Sequence, residues 1–202
     1  MKKVLKAPIK SEDLLDLRIG DYIYYTGILV TGRDDVHHRV VHLDMDCPVD
    51  LDGLALFHAG PIVQEKPDEN TIIAVGPTSS VRMEKEEAAF LQKTGVKLLI
   101  GKGAMGEKTA AACKELKAIH CNFPGGCAVQ AASSVKKIVD VKWRELGMPE
   151  CMWVMDVHEF GPLTVTIDTE GNNLFTVNQE YYNQQKENLL PEMTEKLKGY
   201  MS

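Results

Sequence analysis

The chain has 202 residues, 44% of them hydrophobic and 26% charged, with a formal net charge of -6, an ordinary composition for a soluble protein with one substantial core. The acidic balance excludes a general nucleic-acid binder, which needs Lys and Arg clustered against phosphate. No apolar run approaches the ~20 residues of a membrane span, and the basic start from Met1 to Lys10 has no apolar signal core, so the expected setting is cytoplasmic, with no membrane and no nucleic-acid partner.

In chain order, Ser11 to Leu17 predicts a short capped helix ending near Gly20. Tyr22 to Val30 is rich in β-branched and aromatic residues and predicts a strand, interrupted by Gly27. It runs into Thr31-Gly-Arg-Asp34 and then a short helix from Asp35 to Leu43. Leu54 to His58 and Thr71 to Val75 read as buried strands, with a polar loop from Gln64 to Asn70 between them. From Met83 the pattern alternates: a helix closed by Gly95, a strand from Val96 to Ile100, a glycine loop from Gly101 to Gly106 and an Ala-rich helix from Lys108 to Lys117. A strand from Ile119 to Phe123 and a small-residue helix from Cys127 to Val135 continue it. Two strands are expected between Glu159 and Leu174, with a turn at Gly171-Asn172, and the tail from 179 to 202 reads as helical, Pro191 starting a new turn. The alternation predicts an α/β fold with parallel strands and crossover helices between Met83 and Val141, flanked by further β structure. No linker composition divides the chain, so residues 1–202 form a single expected domain.

Five cysteines, Cys47, Cys113, Cys121, Cys127 and Cys151, include no C-x-x-C pair. A structural zinc or iron–sulfur site needs tighter ligand spacing, so reduced thiols and no metal of the chain's own are expected.

The segment Gly76-Pro-Thr-Ser-Ser-Val-Arg-Met83 carries three hydroxyls (Thr78, Ser79, Ser80) and Arg82 from a strand into a helix start. Unpaired backbone N–H groups and a positive dipole make such a junction an anion site. An ordinary N-cap reads equally well from the same residues. Two further strand ends place a cation beside glycine: Gly32-Arg33 and Gly101-Lys102-Gly103. Ligands collect at the carboxyl ends of strands in α/β sheets, and two guanidiniums with one ammonium suit a small dicarboxylate. Gly101 to Thr109 nearly matches a P-loop, but Glu107 displaces Lys108 and Thr109 by one position, which opposes phosphate and Mg²⁺ binding. Among the histidines, a satisfied half-buried ring is the default for His58. His37 is the better functional candidate, one helical turn from Arg33.

Six motifs then occur in order: Thr31-Gly-Arg-Asp34 with His37, Phe57-His-Ala-Gly-Pro61, Gly76 to Met83, Gly101-Lys-Gly-Ala-Met105, Pro124-Gly-Gly-Cys-Ala128 and Glu159-Phe-Gly-Pro-Leu163. Together they resemble the β subunit of iron–sulfur-dependent class I fumarate hydratase and L(+)-tartrate dehydratase, from about Lys3 to Leu174. The stretch Glu145 to Glu150 and the N-terminal spacing look closer to the tartrate enzymes. The resemblance implies a swivelling β/β/α domain with three layers and mixed sheets. It also implies an α-subunit partner, which holds a [4Fe–4S] cluster on three cysteines of its own, and reversible dehydration of a 2-hydroxydicarboxylate: L-tartrate to oxaloacetate, or malate to fumarate. On this resemblance Arg33, Arg82 and Lys102 bind substrate carboxylates, with His37 as a further substrate-binding candidate. Arg82 and Lys102 join Thr78, the candidate base, as catalytic residues. Ala104 stands where the family often has a second glycine. The rival reading is a non-catalytic dicarboxylate-binding or regulatory module without an active α partner.

Overall fold

The computed structural model describes residues 3–67 and 70–198. The chain opens with β1 (Lys3–Lys6), β2 (Tyr22–Thr31), α1 (Asp34–Val41) and β3 (Ala55–Phe57). A hairpin of β4 (Ala59–Gln64) and β5 (Thr71–Pro77) leads to α2 (Glu87–Thr94), β6 (Leu98–Gly101), α3 (Glu107–Leu116), β7 (Ile119–Asn122) and α4 (Ala128–Ser133). The antiparallel strands β8 (Val135–Lys142) and β9 (Met152–Ile167) follow, and then α5 (Leu174–Lys198).

Strands β2, β3, β6 and β7 lie side by side and parallel, in sequence order. The long β9 pairs antiparallel with both β7 and β2, so these five strands close on themselves. Closure removes the two edges an open sheet would expose. Strand β1 adds to β2, and β8 to β9.

Alternate residues of each parallel strand enter different cores. Leu29, Ala55, Phe57, Leu98 and Ile100 face the inner core, while Val30, Leu56 and Leu99 face an outer one. Both faces are buried, which is why these strands read as continuous apolar runs. Phe57, Phe123 and Phe160 meet inside with ring centroids 5.1–6.2 Å apart, each pair adding roughly 0.5–1.5 kcal/mol beyond burial. Helix α1 covers the outer face with Val36 and Val40, α2 with Phe90 and Leu91, α3 with Ala110 and Cys113. The β4–β5 hairpin and α4 pack on the inner core through Ala59, Val63, Ile72, Val75 and Ala131. Hairpin, closed sheet and helices thus give the expected α/β fold with mixed sheets in β/β/α order.

Several local expectations change. Residues 11–13 make a 3-10 turn instead of a full helix. The helix expected from Met83 starts at Glu87, because Ser80–Met83 is a separate 3-10 turn; any anion affinity of 76–83 therefore rests on its side chains rather than on an α-helix end. Gly95 ends α2 with φ 70°, as its position predicts. Strands β4 and β8, and the first half of β9, were not foreseen. Helix α5 runs through Pro191 without a break; the helix is solvent-exposed there, so water satisfies the carbonyl that proline leaves unpaired. The end of the expected helical tail, 199–202, lies outside the described residues.

Candidate functional site

The parallel strands end on the same side of the closed sheet, and each delivers a loop there. Arg33 follows β2, His58 follows β3 and Lys102 follows β6. The hairpin brings Thr78 to them from β5. Backbone hydrogen bonds join the loops: Thr78 N–H donates to His58 O at 2.6 Å, Lys102 N–H to Thr78 O at 3.3 Å and Ser80 N–H to Lys102 O at 3.0 Å. The strand-end convergence read from sequence is therefore physical, with Thr78 and Lys102 on adjoining backbones.

Arg33 and Arg82 meet through an acid between them. Arg82 Nε donates to Asp34 Oδ1 at 2.9 Å and its Nη2 lies 2.9 Å from Oδ2. Arg33 Nη2 is 3.9 Å from the same Oδ2 and 3.0 Å from Glu150 Oε1. Burial, opposed by Arg33, raises the Glu150 carboxyl above its ordinary pKa. Arg33 Nε is buried without a hydrogen-bond partner among the described residues. A Cβ on Gly60 would stand 2.9 Å from Arg33 Nη1 and 2.6 Å from Pro149 O, so glycine there makes room for the guanidinium. The Lys102 stem leans toward Gly125 of the loop after β7. Glu84 ties the Arg82 turn to the Lys102 loop: it accepts from Gly106 N–H at 2.6 Å and from the Thr109 hydroxyl at 2.7 Å.

These side chains form an open surface. Arg82 is 51% exposed, Thr78 half-buried and Lys102 exposed. Four surface cavities of about 380–660 Å³ are lined by other residues. A dianion has room across this face, and among the described residues Arg82 and Lys102 remain open to solvent.

Beneath the face runs a buried polar chain. His37 Nδ1 lies 2.8 Å from Arg33 O, and its Nε2 lies 3.4 Å from Glu87 Oε1. Glu87 Oε2 is 3.2 Å from His58 Nε2, too poorly aligned for a hydrogen bond but close enough for charge and dipole to attract. His58 Nδ1 meets Ser80 Oγ at 3.0 Å, Ser80 Oγ meets His120 Nε2 at 3.1 Å, and His120 Nδ1 meets Thr166 Oγ1 at 2.6 Å. All six residues are at most 2% exposed. Burial alone would raise the Glu87 carboxyl, yet the two imidazoles hold it well below the usual carboxylate range. Burial would lower His37, and Glu87 reverses that and raises it. Burial, with the neighbouring His58, pushes His120 down to about 3.

The expectation that His37 touches substrate is corrected here. Its ring is fully buried, stacked 4.2 Å from Phe90, and both nitrogens face protein acceptors. It reaches the site through the Arg33 carbonyl beneath it.

Of the groups that could hold a metal, His37, His58 and Glu87 bring ligand atoms within 4.8 Å of one another. The Nε2 atoms of both rings turn toward the Glu87 carboxylate, while His37 Nδ1 meets the Arg33 carbonyl and His58 Nδ1 the Ser80 hydroxyl. The five cysteines are free, and among the described residues no three of them come together as ligands. Burial raises the thiols of Cys113, Cys121 and Cys151, which disfavours the thiolate a cluster needs. Among the described residues the donor set does not fit an iron–sulfur cluster.

Residues 1–178 match the family model described as fumarase C-terminus. The chain belongs to that family. It is 52% identical over 195 residues to the L(+)-tartrate dehydratase subunit beta of Escherichia coli (strain K12), covering 96% of this chain and 97% of the relative. A protein of Methanocaldococcus jannaschii, provisionally named L(+)-tartrate dehydratase subunit beta, is 34% identical over 179 residues, 86% of this chain and 92% of its own length. A protein of Geobacillus stearothermophilus, provisionally named fumarate hydratase class I, is 38% identical over 171 residues, 84% of this chain but 33% of that longer protein. Dehydratase and hydratase name one reaction class read in two directions, and the chain is a hydro-lyase subunit.

Asp34, Glu150, Glu87 and His120 were not singled out from sequence as site residues. Glu87 carried a usable signal: with Phe90 and Leu91 it falls at i, i+3 and i+4 on the buried face of α2. A carboxylate on an apolar face needs a charged partner. Glu150 had none, since nothing local links it to Arg33.

Proposed function

We propose that this single-domain chain is the β subunit of a [4Fe–4S]-dependent hydro-lyase that dehydrates a 2-hydroxydicarboxylate, with L-tartrate to oxaloacetate as its reaction. Arg33, Arg82 and Lys102 bind the substrate carboxylates. The observation that carries this reading is the Arg33–Asp34–Arg82 array beside the Thr78–Lys102 backbone pairing at one end of the sheet. The choice of tartrate over malate and fumarate rests on the relative of 52% identity.

Elimination takes a proton from the carbon next to one carboxylate and hydroxide from the neighbouring carbon; for tartrate the product is an enol that tautomerises to oxaloacetate. Asp34 occupies the Nε edge of Arg82 and leaves the outer edge of the guanidinium for a carboxylate. Arg33, between Glu150 and Asp34, takes the second carboxylate. Lys102 stabilises the charge that spreads into a carboxylate as the C–H bond breaks. Thr78 stands beside it as the base, its loop fixed by the His58 carbonyl. A threonine hydroxyl is a weak base, and neighbouring cations favour its ionised form. A [4Fe–4S] cluster, held by an α-subunit partner, would supply Lewis-acid chemistry for the departing hydroxyl. The open face is the surface on which that partner completes the site. A cytoplasmic setting belongs to the same reading, in keeping with five free thiols.

The test is the α–β pair, co-purified, reconstituted anaerobically with iron and sulfide, and assayed side by side on L-tartrate, malate and fumarate. Turnover of L-tartrate well above the others supports the reading. A complex loaded with its cluster but inert on all three would refute it.

A further inference from the structure

We propose that Glu87, His58, Ser80 and His120 are positioning residues: through one buried carboxylate they lock the loop that bears Thr78 to the loop that bears Arg33. This inference rests on the site reading above. Its residues lie beneath the exposed face and touch no substrate.

The hydrogens next to Glu87 can be assigned from the acceptors there. The Arg33 carbonyl and the Glu87 carboxylate both accept, so His37 donates from both nitrogens and is an imidazolium. The His58 nitrogen facing Glu87 carries hydrogen, since a lone pair there would face an anion. Beyond it, His58 Nδ1 and His120 Nε2 both meet Ser80 Oγ, and His120 Nδ1 meets Thr166 Oγ1, whose hydroxyl donates to His120 O at 3.1 Å. Hydrogen bonds thus run unbroken from Thr166 to His58, and the facing charge of Glu87 joins His58 to His37.

Packing leaves this chain little slack. A Cβ on Gly101 would fall 1.8 Å from Ser80 Oγ and 3.1 Å from His58 Nδ1. Ser80 is the last residue of the Thr78–Ser80 loop, and its N–H is bound to Lys102 O. His58 supplies the carbonyl that holds Thr78 N–H at 2.6 Å. At the other end His37 anchors the Arg33 carbonyl from the first turn of α1. Glu87 stands where the two halves join. A break there loosens the aim of Thr78 while leaving Arg82 and Lys102 in place.

Two measurements test this. In the full-length wild-type chain, ¹⁵N-resolved NMR of the histidine rings at pH 7 is expected to show His37 protonated on both nitrogens. In the reconstituted α–β complex, Glu87→Gln is expected to lower kcat at least tenfold while KM moves less than threefold, and in the chain it converts His37 to a neutral ring. If Glu87→Gln does not fold, Ser80→Ala, which cuts the chain without stranding a charge, is read by the same kinetic criterion. A neutral His37 in the wild type, or kcat within twofold of wild type in a folded variant complex, overturns the proposal. A wild-type complex inert on every hydroxydicarboxylate defeats the functional reading instead, and the His37 protonation still decides whether the buried carboxylate contact exists as assigned.

Discussion

Arg82 and Asp34 face each other across the site with two N···O contacts of 2.9 Å. With Arg82 51% exposed and Asp34 33% exposed, the pair is worth well under ~1 kcal/mol of stability. Its consequence is aim: Asp34 fixes one edge of the guanidinium and leaves the other for a carboxylate. Asp34→Asn is therefore expected to raise KM for the dicarboxylate about tenfold while the melting temperature shifts by less than about 2 °C. Steady-state kinetics beside thermal unfolding of the same preparation check both halves.

Gly101 is set by steric contact. A methyl group there collides with Ser80 Oγ at 1.8 Å, and Ser80 is held on both sides by imidazoles. Gly101→Ala is expected to destabilise the chain by about 1–3 kcal/mol, the usual cost of overpacking, and to lower turnover. Urea unfolding measures the first effect. A midpoint unchanged from wild type means that the loop yields without cost.

Thr78→Val keeps the shape of the side chain and removes its hydroxyl. If Thr78 takes the proton, kcat falls by about 100-fold to 10,000-fold, the range for loss of a general base. Full activity in this variant transfers the role to another group.

Stability depends on pH through His120, Glu87 and His37. Burial and His58 hold folded His120 down to about 3, against an ordinary 6.5. Between these values the unfolded chain binds the extra proton, so stability falls as pH drops from 6.5 toward 3, with a slope of at most about 1.4 kcal/mol per pH unit. Glu87, depressed in the folded state, adds a loss of the same sign below its ordinary 4.5. His37, raised, contributes stability that is complete below 6.5 and is lost as pH rises through its folded value. Denaturant unfolding from pH 4 to 8 is expected to peak near neutrality, and His120→Gln to flatten the acid limb. An acid limb as steep in that variant as in wild type removes His120 from the explanation.

The convergence of the strand-end loops is legible in the sequence, and the buried polar chain beneath them is not. Arg33, Thr78, Arg82 and Lys102 lie in glycine-containing strand-end loops, and the pairing of those strands brings the loops together. Local pattern does not encode contacts such as Arg33 with Glu150, 117 positions away, or His120 with Ser80, 40 away. His37 shows the same limit. Helical spacing put it one turn from Arg33, correctly, but the Phe90 ring and the Glu87 carboxylate that turn it inward come from another helix. Closure of the sheet is not legible because the polar, exposed or half-exposed positions from Asp156 to Glu159 interrupt the apolar run of β9.

The central claim, that Arg82 and Lys102 hold a dicarboxylate, is tested most directly by steady-state kinetics of Arg82→Ala and Lys102→Ala in the reconstituted α–β complex. Losing one charge-assisted carboxylate contact corresponds to about 1.5–3 kcal/mol, so kcat/KM for the dicarboxylate should fall roughly 10-fold to 150-fold in each variant, with unfolding unchanged. Values of kcat/KM within twofold of wild type in both variants would contradict the assignment of this site.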